Sequence, residues 1–512
     1  MVGSPAAARP APRETLALFV ILVGLLRLFV SALAPPLAQE AYYAEYAAHP
    51  ALSYFDHPPM VAWSIAAGKA LFGASTFGLR AGAWALAFGT TWIGLALLRA
   101  WGAGLAARRL WVAATVAVPL FAVGLTLAMT EAPLLFFWTA ALYSLWRARD
   151  GGLGWWALVG LATGGALLSK YTAVFLGVGG VIVLAMDPAL RRQILRPGPW
   201  LALLLAAACF APVIQWNRTH EWASFAFQSE SHVEREARVD RAATFLAGQF
   251  LALTPIVLGA LAVAAVAWAR RARRDVRAYW VLGFGLPLPL VMLVQSPWTY
   301  VKLNWLMPAY LSVAFGALVW MDVESAAARY PRAARVGRRL LVVSLGVFLL
   351  WPAARWVPWA WNDDWAGWRE IAEQTSEVGR ALRDEGPPTF YFATSHKIAA
   401  HVAHGLRGLR EARDPWVPVL GGNVVGEAGL AFDYWTSPAD FRGGNAVCVV
   451  RPRPGKGRDD VIRKASPHFA SFALAREIEV KRLGVVVQRA ELWIGRDYLG
   501  PAAERRDPSP ES

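Results

Sequence analysis

Three carboxylates in this sequence stand out, two of them, Glu40 and Glu131, at or beside long apolar runs, where an ionised side chain is costly and usually functional. Glu40 directly follows the first such run, just ahead of Tyr42 and Tyr43. Asp56 lies in Tyr54-Phe55-Asp56-His57-Pro58-Pro59, where two prolines fix the backbone beside an acid and a titratable cation. Glu131 lies in Thr130-Glu131-Ala132-Pro133, between two apolar runs with almost no loop around it. A carboxylate at a hydrocarbon edge suits a general base. Lys170 and Lys302 sit at the ends of apolar runs, and Arg80 lies near the start of another. Each suits a charge-assisted bond to a lipid phosphate. Structural alternatives stand beside each reading. Glu131 fits a helix N-terminus with Thr130 as cap and Pro133 in the first turn. The loop around Asp56 fits an interfacial anchor rich in Tyr, and the lysines fit snorkelling side chains.

The elements that must hold these groups follow from composition. The 512 residues are 56% hydrophobic and 17% charged, against about 25% charged in a soluble domain. Eleven apolar stretches are long enough to cross a bilayer, at roughly 15–36, 78–98, 110–126, 131–146, 153–169, 171–186, 199–216, 244–269, 278–294, 303–321 and 340–358. This excludes a mainly soluble enzyme, a disordered chain and a disulfide scaffold. Cys209 and Cys448 lie in unrelated surroundings and suggest no redox or zinc motif.

The net charge of +15 has a direction. Residues 359–512 hold 21 Lys and Arg against 21 Asp and Glu, so the whole excess lies in residues 1–358. With the N-terminus in the cytoplasm, the inner segments hold 20 Lys and Arg and the outer loops hold 7. That asymmetry is a topology signal, not a nucleic-acid footprint. It predicts a cytoplasmic tail at 1–14, a transmembrane domain at 15–358 with its first outer loop at 37–77, and an extracytoplasmic α/β domain at 359–512. In that last domain Asp364–Glu385 reads as a helix stopped by Gly386-Pro387-Pro388. Thr389–Ala393, Ala446–Val450 and Val485–Gln488 read as strands. Asp363-Asp364 and Asp459-Asp460 read as helix and loop charge rather than as nucleotide-sugar sites, and no phosphate-loop motif is present.

These motifs, taken in order, resemble the bacterial family 39-like glycosyltransferases of the GT-C superfamily. The resemblance rests on Glu40-Ala41-Tyr42-Tyr43, Tyr54 to Pro59, Thr130 to Pro133, Ser169-Lys170-Tyr171, Gln215-Trp216-Asn217 with His220-Glu221-Trp222, and Lys302-Leu303-Asn304-Trp305. It covers about 15–360. Relatives include protein O-mannosyltransferases and a lipid A aminoarabinose transferase. The resemblance implies a multi-pass enzyme of the bacterial inner membrane. Such an enzyme takes a sugar from a polyprenyl-phosphate carrier, usually with inversion, and passes it to lipid A, another envelope glycan or protein. It implies Glu40, Glu131 and Asp56 as catalytic candidates. Tyr42, Tyr43, Tyr54, His57, Arg80, Lys170, Tyr171, Lys302 and Asn304 become substrate-binding candidates, and Asp56 a candidate ligand for a divalent metal. Two departures bear on the chemistry. Many relatives carry Asp-Glu where this chain has Gln39-Glu40, which moves the expected base to Glu40 first and Glu131 second. The aminoarabinose transferase has Glu-Lys-Pro-Pro where this chain has Asp56-His57-Pro58-Pro59, so His57 takes the place of a phosphate-binding lysine. The competing class is a transporter or flippase of lipid-linked sugars, against which the sequence shows no inverted repeat.

Overall fold

The computed structural model describes residues 12–230, 237–321, 329–356, 365–409, 417–452 and 458–501. It divides into two compact units. The first comprises Met1–Ala32, His57–Ser64 and Arg80–Leu350, and the second Leu33–Asp56, Ile65–Leu79 and Trp351–Ser512.

The first unit is helical. Among the described residues, six helices are long and apolar enough to cross a membrane, or seven if one bent pair counts as a single span. Each of the eleven apolar stretches coincides with helix, but several are shorter or broken. The stretch 244–269, expected as one span, is two helices, Val239–Leu253 and Pro255–Arg271, bent by 102°. A residue before proline is driven out of the α region. Thr254 accordingly leaves the helix with φ of 68°, and Pro255 opens the next one. Val118-Pro119 interrupts another stretch at the same kind of junction, and Pro287 begins a new helix within 278–294 although Leu286 stays in the α region. Helices Leu153–Leu167 and Pro197–Thr219 approach closely because Gly160 has no side chain. A Cβ there would lie 2.5 Å from the Ala202 carbonyl oxygen.

The second unit holds a five-stranded sheet in the order β2-β1-β3-β5-β4. Its strands are β1 Thr389–Phe392, β2 Val419–Leu420, β3 Asn445–Val450, β4 Phe469–Arg482 and β5 Val485–Tyr498. β1 pairs in parallel with β2 and β3, and β5 pairs antiparallel with β3 and β4. Phe390, Phe392, Leu420, Cys448, Phe469 and Tyr498 form its core. The expected helix is present as Trp368–Arg383, and Asp363-Asp364 lies outside the described residues. β5 runs ten residues past its expected end at Gln488, because its later residues pair along the whole of β4. β4 escapes sequence reading because Arg476, Glu477, Glu479, Lys481 and Arg482 break its apolar alternation. Asp459 and Asp460 open the helix Arg458–Ala465, and Asp460 pairs with Arg463 and with Lys464.

His401 packs face to face on Trp368, with ring centroids 4.2 Å apart. Burial pushes its pKa well below the usual histidine range. A histidine held neutral in the fold but free to protonate when unfolded stabilises the domain above the unfolded pKa, near 6.5, and less as pH falls below it. Thermal unfolding followed by Trp fluorescence is therefore expected to show a lower Tm at pH 5.5 than at pH 7.5, with a smaller difference in His401→Phe.

The stretch 37–77, expected as a loop, contains the helices Ala38–Ala48 and Met60–Phe72. The first is rich in Ala, and its Tyr42, Tyr43 and Tyr46 are all buried. It packs on helix His396–Leu409 within the second unit. Glu45, nearly fully buried, is held there by Arg407 through bonds of 2.9–3.1 Å. Removing one partner of such a pair leaves an uncompensated buried charge. Arg407→Ala is expected to destabilise the second unit by about 3 kcal/mol. The double variant Glu45→Gln, Arg407→Ala is expected to recover part of that loss in a thermal melt.

Candidate functional site

Glu131 is the first residue of helix Glu131–Ala148 and is 1% exposed. Its Oε1 accepts from Lys170 Nζ at 2.5 Å and from Asn304 Nδ2 at 2.6 Å. The Thr130 hydroxyl donates to Oε2 at 3.3 Å. Thr130 thus occupies the cap position without making a side-chain cap bond. Lys170 stands in extended conformation between helix Leu153–Leu167 and the 3₁₀ turn Tyr171–Ala173, and is buried. Asn304 comes from the 3₁₀ turn Leu303–Leu306. Three separate breaks between helices therefore converge on one carboxylate. Such a buried pair persists only where its remaining lone pairs and protons are also bonded, and Asn304 and Thr130 meet that need.

Other candidate residues lie in the first unit. The Tyr171 hydroxyl bonds Ser224 at 2.6 Å. Arg80 is fully buried and donates to the Ser31 carbonyl at 3.3 Å, tying two helices together. His57 is half-buried, whereas Lys302 is exposed beside the turn that carries Asn304.

The second unit holds Asp56, which is buried. Tyr42 donates to its Oδ1 at 3.2 Å, and Tyr46 donates to the same oxygen. The Tyr42 oxygen in turn accepts the Ala431 N–H at 3.1 Å. Tyr54 stacks on Tyr46 with centroids 4.1 Å apart and donates to the Tyr46 carbonyl at 2.8 Å. Burial raises Tyr42 well above the usual phenol range, with the Asp56 charge adding to it, and pushes Tyr54 up to about 12. Both phenols stay protonated across any working pH. Tyr43 packs against Tyr42 and Tyr46. Glu40 is fully buried, and its Oε2 accepts the Leu37 N–H at 3.0 Å at the start of its own helix.

Among the described residues no three His, Cys, Asp or Glu side chains gather as a metal cage. Asp56 has phenol donors on Oδ1, which are not cation ligands in that role.

Sequence reading singled out Glu131, Lys170 and Asn304 separately, and the structure brings them together. It missed Tyr46 and the Glu45–Arg407 pair. Tyr46 had a signal, since it lies four residues after Tyr42 on one helical face. Glu45 was visible as an acid in an Ala/Tyr helix, but nothing local points to Arg407.

Residues 56–216 match the family profile described as dolichyl-phosphate-mannose-protein mannosyltransferase. The structure superimposes on the crystal structure of ArnT from Cupriavidus metallidurans with a TM-score of 0.63, covering 94% of this chain and 98% of that one at 14% identity. The chain has the fold of ArnT. A second ArnT structure, bound to undecaprenyl phosphate, matches over the same shares with a TM-score of 0.61. In sequence the chain is similar to the lipid A galacturonosyltransferase RgtD of Rhizobium johnstonii, at 29% identity over 55% of this chain and 59% of that protein. It is also similar to undecaprenyl phosphate-alpha-4-amino-4-deoxy-L-arabinose arabinosyl transferase 1 of Pseudomonas fluorescens, at 28% identity over 54% of this chain and 50% of that protein. The chain thus spans between half and three fifths of the length of these curated relatives. Its buried Glu131 cluster lies at the breaks between helices of this fold.

Proposed function

We propose that the protein transfers a sugar from a polyprenyl-phosphate carrier to an envelope glycolipid at the outer face of the bacterial inner membrane. The observation that carries this reading is the buried Glu131–Lys170–Asn304 cluster, set at helix breaks of a GT-C fold. The names of the similar proteins, a lipid A galacturonosyltransferase and an undecaprenyl-phosphate arabinosyl transferase, support this choice of donor and acceptor. The charge asymmetry supports a cytoplasmic N-terminus and an outer location for residues 359–512.

In this reading the nucleophilic oxygen of the acceptor attacks the anomeric carbon as the bond from that carbon to the carrier phosphate breaks. Polyprenyl phosphate leaves, and configuration inverts. Glu131 Oε1 is occupied by Lys170 and Asn304, so Oε2 takes the acceptor proton. Lys170 has two further N–H donors for the phosphate, whose charge grows as it leaves. Arg80, His57, Lys302 and Tyr171 serve as candidates for binding the carrier, and Asp56, Tyr42, Tyr43 and Tyr54 as candidates for binding the acceptor. Glu40 becomes the second candidate base, since its Oε2 already accepts the Leu37 N–H.

The test is turnover by purified protein with a polyprenyl-phosphate sugar, paired with glycan mass spectrometry of a deletion strain. Loss of one sugar mass, restored by wild type and not by Glu131→Gln, is the expected result. An unchanged glycan profile together with movement of the lipid-linked sugar across vesicles, without turnover, would replace a transferase with a flippase.

A further inference from the structure

The second unit carries a cleft of 480 Å³ that none of the steps above uses, lined chiefly by Asn423, Asp433, Tyr434, Trp435, Thr436 and Ser437. Its aromatic floor is held rigidly. Trp435 stacks on His49 at 4.5 Å and meets Tyr46 and Phe432 edge-on. Tyr434 stacks on Phe55 at 5.3 Å and still leaves 41% of its surface exposed. Phe55 is the residue before Asp56, so the cleft is fastened to the segment that ends in that carboxylate.

The polar groups suit hydroxyls. Asp433 spends part of its carboxylate on the Gly429 N–H, and a carboxylate has about four acceptor positions. The Ser437 oxygen accepts the Ala439 N–H, so its own hydrogen is a donor, and the Asn423 amide and Thr436 hydroxyl add both kinds. Among the described residues that line the cleft none is Lys or Arg, and Asp433 supplies a negative charge. Phosphate and uronate are disfavoured there, whereas a neutral or amino sugar gains ring-face contact and several hydrogen bonds. An aromatic platform with a few fixed polar groups is the usual form of a small-molecule site.

We propose that this cleft binds a non-phosphorylated sugar ring of the acceptor, holding the glycan while another part of it enters the transfer site. This rests on the transferase reading and names the acceptor class within it. The test uses the full-length protein in detergent and saturation-transfer NMR with a β-1,6-linked glucosamine disaccharide lacking acyl chains and phosphates. The expected result is transfer to the ring protons, lost in Tyr434→Ala and kept in Glu131→Gln. With a complete acceptor, Tyr434→Ala is expected to raise KM about tenfold with kcat little changed, and Tyr434→Phe to behave as wild type, since a tenfold change corresponds to about 1.4 kcal/mol. Absence of transfer, transfer unaltered by both Tyr434→Ala and Asp433→Asn, or stronger transfer to a Ser/Thr peptide would each overturn the proposal. Disaccharide binding without any turnover would leave the cleft standing and remove the transferase reading. Turnover without binding would do the reverse.

Discussion

Glu131→Gln is expected to lower kcat by about two to four orders of magnitude while the protein still inserts and folds. Gln keeps the side-chain length and an Oε1 acceptor, so Lys170 and Asn304 retain a partner for their N–H groups. What is lost is a site for the acceptor proton and the charge that balances Lys170. Glu131→Ala is the less informative variant, because it leaves a buried ammonium unpaired and adds a folding cost of about 3–5 kcal/mol. Lys170→Met is expected to be as damaging as Glu131→Gln, and the double variant no worse than either, since residues that act as one unit are not additive. Asn304→Ala should cost less, having removed a neutral donor from an oxygen that Lys170 still holds. Glu131→Gln with wild-type kcat and an unchanged melting profile would take the carboxylate out of the chemistry and leave the pair as a device for joining helices.

How much of this was legible in the sequence depends on the range of the interaction involved. The helical segments follow from apolar runs, although among the described residues six helices, or seven with one bent pair, rather than eleven, are long and apolar enough to cross a membrane. Proline junctions at Val118, Thr254 and Leu286 were written in the sequence too. Hydropathy averages over them, which is why 244–269 reads as one span and folds as two helices. Glu131, Lys170 and Asn304 were each conspicuous as polar groups at the ends of apolar runs. Their convergence was not, because 39 residues separate the first two and 173 separate Glu131 from Asn304. Tyr42 reads as part of a polar loop but lies on the helix Ala38–Ala48, while Tyr54 lies beyond that helix, and both rings are buried. Tyr42 serves Asp56 and Ala431 together. Arg407 lies 362 residues from Glu45, and no periodicity carries across that distance. The same holds for β4, whose charged face is ordinary for an edge strand and hides it from pattern reading.

Asp56→Asn is expected to reduce transfer by at least about a hundredfold with little change in Tm, and Asp56→Ala to lower both. The two substitutions separate charge from shape. Tyr42 and Tyr46 both donate to Oδ1, and an amide oxygen would accept those bonds almost as well as a carboxylate. If Asp56 served only to satisfy the phenols, Asn would be nearly neutral and Ala would carry the whole cost, about 1–3 kcal/mol for each buried donor left without an acceptor. A buried carboxylate in place of an amide is expensive. In the proposed reaction that charge acts next in sequence to His57, and the carboxylate is clamped by a phenol that the Ala431 N–H also fixes. Tyr42→Phe breaks that clamp on the Ala431 side and is expected to weaken transfer less than Asp56→Asn. Tyr46→Phe should do the same from the other donor. Wild-type turnover by Asp56→Asn, with loss confined to Asp56→Ala and to the melt, would assign Asp56 to the architecture of the first outer segment and leave Glu131 as the acid group on which the chemistry rests.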